Sequence, residues 1–138
     1  MTSDKLKALK YFLLSVFFSI FSSCSKENAG LGGEVILKLF PEHHAKAITS
    51  QNNYPDTAFL KFNTKEFPGD GADLYDAFFI GLSGESFVRT AGLKKGQYFI
   101  YMTGWDTTIN QRVAGGIPYK IDVSTGELIA KIPVTESH

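Results

Sequence analysis

The segment Gln97–Thr103, Gln-Tyr-Phe-Ile-Tyr-Met-Thr, constrains this chain more than any other stretch. Tyr98, Ile100 and Met102 alternate onto one face of an extended strand, and Phe99 and Tyr101 onto the other. A strand apolar on both sides needs cover on both, so it is expected in the middle of a sheet. The turn Gly92-Leu93-Lys94-Lys95-Gly96 feeds it, and Gly104-Trp105-Asp106 ends it.

The same period-two signal recurs on either side. Glu34–Phe40 places Val35, Leu37 and Leu39 on one face, and Pro41 is expected to end this strand or put it at an edge. Thr57–Asn63 follows, then a long loop over Thr64–Asp76 that is dense in turn residues around Pro68-Gly69-Asp70-Gly71. Ala77–Leu82 and Ser86–Ala91 read as a hairpin. Thr107–Arg112 reads as a polar crossing before Val113–Val123, and Ser124–Glu127 as a hairpin turn before Leu128–Val134. Seven to eight short strands punctuated by Gly, Asn, Asp and Pro, with no helical period after Cys24, predict an all-β fold. The architecture expected over 34–138 is an antiparallel two-sheet sandwich.

The N-terminus follows different rules. Lys5, Lys7 and Lys10 precede the apolar run Tyr11–Phe21, which leads to Ser22-Ser23-Cys24. As a helix the run spans about 16 Å, short of the ~30 Å hydrocarbon core, so it suits a cleaved export signal better than a permanent span. Cys24 is the only cysteine in 138 residues, so no internal disulfide can use it. Phe21-Ser22-Ser23-Cys24 resembles the lipobox of bacterial lipoprotein signals, with Phe where Leu is usual. That resemblance implies cleavage of residues 1–23 and diacylglycerol on the Cys24 thiol. It also implies a protein held by acyl chains in the cell envelope, where several chains together anchor firmly. Ser25 is compatible with the outer membrane, on either its periplasmic or its surface face. Residues 24–33 then read as a flexible tether.

Two further resemblances concern the body. Gly92–Tyr98 resembles the leucine, turn, Gly-x-Tyr signature of prealbumin-like (Ig-like) sandwiches, which include carboxypeptidase regulatory-like and Cna-B-like domains. The order of His43-His44, Ala58–Lys61, Glu66–Gly69, Tyr75-Asp76, Gly92–Tyr98, Gly104–Asp106 and Val113–Pro118 resembles small Bacteroidota lipoproteins of unassigned activity. Both imply an envelope sandwich and carry no catalytic residues.

Chemistry is sparse. Charge is balanced at 14 basic and 14 acidic residues, so nucleic acid is not an expected partner. There is no Gly-x-Ser-x-Gly elbow, and Gly115-Gly116 runs into Ile117-Pro118 rather than a phosphate-loop Lys. No cofactor and no catalytic residue are expected. His43 and His44 are candidate metal ligands, alone or with the acidic loop Asp70, Asp73, Asp76 or with Asp106. A solvated turn is preferred, because zinc needs three or four ligands and adjacent residues on a strand face apart. Trp105 and Tyr101, with Tyr98 and Tyr119, are candidates for an aromatic binding patch, although a core position is preferred for such residues. The expected function is a binding or structural module anchored in the envelope, with an envelope protein or a glycan as partner. The alternatives are a metal-dependent binder or enzyme, and an accessory subunit of an outer-membrane complex.

Overall fold

The computed structural model describes residues 27–137. The expected signal over 1–23 and the expected lipidation site Cys24 lie outside the described residues. Within them the chain forms nine strands: β1 (Leu31–His43), β2 (Lys46–Ala47), β3 (Thr57–Phe62), β4 (Ala77–Ile80), β5 (Val88–Arg89), β6 (Gly96–Asp106), β7 (Gln111–Ile121), β8 (Thr125–Pro133) and β9 (Thr135–Glu136). A single 3-10 turn covers Ala72–Leu74, and no α-helix occurs among the described residues.

The strands make two sheets in a sandwich-like arrangement. In the first, β1 is central, with β8 along one edge and β5 and β2 in succession along the other. The second has the order β4-β3-β6-β7-β9. Their inner faces share one core. Val35, Leu37 and Leu39 of β1 and Ile132 of β8 meet Leu60 of β3, Tyr98, Ile100 and Met102 of β6, and Val113 and Ile121 of β7. Each large apolar side chain buried fully in this way stabilises the fold by roughly 1.5–3 kcal/mol.

β6 is the middle strand of its sheet, and both of its faces are buried. Its inner face meets the other sheet. Its outer face is covered differently: the loop after β3 folds back, setting Phe67 against Phe99 and Tyr101 and stacking Tyr75 on Tyr101. Tyr98 ties the same strand to the chain's start. Its hydroxyl donates to the Lys94 carbonyl at 2.6 Å and accepts from the Gly30 N–H at 2.9 Å.

Several expectations change. The sandwich is not wholly antiparallel, because β1 and β8 pair in parallel from Glu34↔Thr125 to Glu42↔Pro133. The chain leaves the second sheet after Ile121 and enters the first at Thr125, so residues 122–124 cross between sheets, and Ser124–Glu127 is not a hairpin turn but the crossover's last residue and the start of β8. A strand that changes sheet escapes the antiparallel sense that a tight hairpin imposes. For the same reason Ala77–Leu82 and Ser86–Ala91 are not a hairpin: β4 pairs with β3, whereas β5 pairs with β1. Thr107–Arg112 is not a crossing. Asp106 pairs with Gln111, and the turn between them closes through Asn110 at φ 54°.

Pro41 neither ends β1 nor marks its edge. β5 covers Lys38 and Leu39, β2 covers Glu42 and His43, and Pro41 falls between them with its carbonyl accepting from the Ile48 N–H at 3.0 Å. Part of the segment expected as a flexible tether, 24–33, is packed into the body. Ala29 is buried and donates to Asn63 Oδ1, and Leu31–Gly33 already belong to β1.

Candidate functional site

The sequence candidates fall into two separate places. One is the end of the sandwich where β1, β6, β7 and β9 terminate. The other is the outer face of the second sheet.

At the sandwich end, His43 is the last residue of β1 and His44 the first of a two-residue turn. His43 pairs with Lys46, while His44 and Ala45 both adopt left-handed backbone, at φ 50° and 61°. This is the I′ geometry, which matches strand twist but normally draws Asn-Gly, so placing His and Ala there is strained. The turn overrides the strand rule that separates neighbouring side chains. The two imidazole centroids lie 4.1 Å apart.

His43 is buried, and carboxylates from two later strands, β6 and β9, approach it. Its Nδ1 lies 2.6 Å from Asp106 Oδ2, and its Nε2 lies 3.4 Å from Glu136 Oε2. The second distance lacks hydrogen-bond alignment, which leaves Nε2 without a partner. The Asp106 bond raises the affinity of His43 for a proton against the opposing effect of burial. Asp106 in turn accepts from the Thr108 N–H at 2.8 Å and from its hydroxyl at 2.6 Å. Those Thr108 bonds, with His43, hold its carboxyl down at about 2. Glu136 reaches the site because β9 pairs with β7, with Val113 opposite Glu136. Beside these residues a cleft of about 390 Å³ is lined by His44, Lys46, Ile48, Trp105, Thr107 and Ile109, among others.

Of the combinations open from sequence, the structure joins His43 to Asp106. It does not bring Asp70, Asp73 and Asp76 to the histidines. Asp76 accepts from the Phe62 N–H at 2.7 Å and from Lys61 Nζ at 3.2 Å, and Asp70 accepts from the Tyr101 hydroxyl at 3.1 Å. Asp73 lies in the 3-10 turn. Asp70 and Asp76 thus secure the loop that covers β6.

The four aromatic candidates are divided. Tyr98 and Tyr119 pair across β6 and β7 on the inner face, with Tyr98 wholly buried. Tyr101 faces outward yet is buried beneath Phe67 and Tyr75. Trp105 is half-buried against Tyr54, and its Nε1 donates to Asn110 Oδ1 at 3.3 Å. A group of exposed apolar side chains lies elsewhere, along edge strand β4 and the residues after it. Phe78, Ile80 and Leu82 are 62%, 56% and 73% exposed, with Phe67 nearby against the β6 aromatics. A groove of about 340 Å³ opens there between β4 and β5, lined by Ile80, Gly81, Leu82, Glu85, Phe87 and Arg89.

Two residues that matter were not singled out from sequence. Glu136 sits in a short polar tail with no motif around it. Asp56 is fully buried, with both carboxylate oxygens unpartnered, and burial pushes its carboxyl up to about 7. The only signal for either is an acidic residue close to a strand end, which is common. No family model, curated protein or solved structure matches this chain.

Proposed function

We propose that this chain is a lipid-anchored docking module of a bacterial envelope, tethered through Cys24 at the outer membrane. It binds an envelope protein without catalysing a reaction. The anchor rests on the lipobox-like Phe21-Ser22-Ser23-Cys24 and the single cysteine. The finer fold reading, a prealbumin-like sandwich, is supported by the Gly-x-Tyr signature. Leu93 is buried, and the Tyr98 hydroxyl closes on the Lys94 carbonyl within that motif.

The observation that carries the docking role is the β4 edge. Its outward edge has no hydrogen-bonded strand beside it among the described residues, and Phe78, Ile80 and Leu82 stand exposed there. Folded proteins blunt exposed edges with charge, Pro or bulges, and contiguous exposed apolar surface marks a contact site. Phe and aliphatic side chains without hydroxyls suit a protein partner that adds a strand or packs an apolar face. A glycan would call for Tyr or Trp rings flanked by hydrogen-bonding groups.

The test is site-specific photo-crosslinking in intact cells, with the probe at 78 or 80 and a control probe at Lys120 on β7. The expected result is a discrete adduct from 78 and 80 only, lost when Leu82 is changed to Ser and when Cys24→Ser releases the anchor. Equal labelling from the control position, or none from 78 and 80, would overturn the reading. Incorporation of a labelled fatty acid into the wild-type chain but not Cys24→Ser checks the anchor separately.

A further inference from the structure

We propose that His43 Nε2, His44 Nε2 and a Glu136 carboxylate oxygen form a zinc-type divalent metal site, with Asp106 orienting His43 from behind. The three residues offer ligand atoms that all lie within 4.8 Å of one another. A tetrahedral zinc with bonds of about 2.0–2.1 Å spaces its ligand atoms about 3.4 Å apart. His43 Nε2 and Glu136 Oε2 stand at 3.4 Å, and His44 Nε2 and Glu136 Oε1 at 3.9 Å. The His44 side chain is 79% exposed, so it can swing the remaining distance without disturbing the core.

A second, independent observation points the same way. His43 is nine-tenths buried or more, and its Nε2 faces this cluster with no hydrogen-bond partner. An unmet buried polar atom is destabilising, and a metal ion would satisfy it. The other ring nitrogen is already engaged as a metal-bound histidine requires. Nδ1–H donates to Asp106 at 2.6 Å, which leaves the Nε2 lone pair for the ion, and Asp106 is itself fixed by Thr108. The strained I′ turn at His44-Ala45 is what sets the two imidazoles side by side. Two imidazoles and one carboxylate favour zinc over calcium or magnesium, which prefer all-oxygen shells. Three protein ligands leave a fourth position for solvent or a ligand atom.

The test uses the full chain, purified in detergent without a polyhistidine tag and stripped with a chelator. Zinc alone is titrated against a competing chromophoric chelator. One zinc per chain is expected, and neither calcium nor magnesium should displace it. Glu136→Gln and His44→Ala, both at exposed positions that need not disturb folding, should each weaken binding at least tenfold. Asp106→Asn should weaken it by about 10- to 100-fold while keeping one site, as loss of an orienting carboxylate does. Cobalt in place of zinc should give visible absorption of tetrahedral type, lost in Glu136→Gln. No zinc uptake, or uptake undiminished in either His44→Ala or Glu136→Gln, would overturn the proposal. His43 would then be a buried histidine bonded to Asp106 and nothing more.

Discussion

His43 Nδ1 and Asp106 Oδ2 lie 2.6 Å apart across 63 residues of sequence, joining the end of β1 to the end of β6. The first strand of one sheet is thereby bonded to the central strand of the other. Both partners are buried, so removing Asp106 leaves His43 Nδ1 without a partner, and removing His43 leaves Asp106 Oδ2 without one. Asp106→Ala should destabilise the chain by about 3–5 kcal/mol in chelator, read by denaturant unfolding. Asp106 also caps the β6–β7 turn through Thr108, so the double-mutant cycle with His43→Ala isolates the pair from the cap. A coupling below ~0.5 kcal/mol would show that the turn, not the pair, carries the effect.

Asp56 makes stability depend on pH in the direction opposite to an ion-paired carboxylate. Its carboxyl is raised from 3.8 to about 7 by burial. Between those values the folded chain holds a proton that the unfolded chain has released, so stability falls as pH rises through this window and levels off above it. Asp56→Asn should remove that fall. At pH 8 the variant should melt at least about 4 °C higher than wild type, as a gain of ~1 kcal/mol produces in a domain of this size. At pH 4.5 the two should differ little. Thermal melts at both pH values decide it, and equal melting at pH 8 would mean that the charged carboxylate finds a partner.

Tyr98→Phe should cost about 1–3 kcal/mol despite keeping the ring. The hydroxyl serves the Lys94 carbonyl and the Gly30 N–H, and both become unsatisfied when it is lost. Denaturant unfolding measures the loss. Faster amide hydrogen exchange at Gly30 would show that the start of the body has loosened from β6.

Gly115→Ala should be the most damaging small substitution in β7. A Cβ there would stand 2.2 Å from the Pro133 carbonyl oxygen and 3.0 Å from Val134 Cα, both backbone atoms that cannot turn aside. The chain between β8 and β9 must shift, at a cost of about 1–3 kcal/mol. Because Glu136 follows on β9, zinc affinity should fall together with stability. Retained affinity in a destabilised Gly115→Ala chain would place the shift away from β9.

Residue alternation was enough to define the all-β class, the central place of Gln97–Thr103 and the inward faces of Val35, Leu37, Leu39, Tyr98, Ile100 and Met102. Those features depend on which neighbours share a face, and that is local geometry. The same signal misread Ala77–Ala91 and Ser124–Val134 as hairpins. Alternation says nothing about which sheet a strand joins, and strands close in sequence often lie in opposite layers. The parallel pairing of β1 with β8 is hidden for that reason.

The site divides in the same way. The pair His43-His44 stands out in the sequence, but its geometry came from a left-handed turn that Ala45 gives no sign of. Asp106 was among several eligible carboxylates, and Glu136 was not distinguished from any other surface acid. Amino-acid order alone established the strands and the apolar faces they needed to bury. Only the closing of two sheets, with β9 folded against β7, decided which side chains 63 or more residues apart in the chain would meet, because such contacts belong to strand ends and not to strand composition.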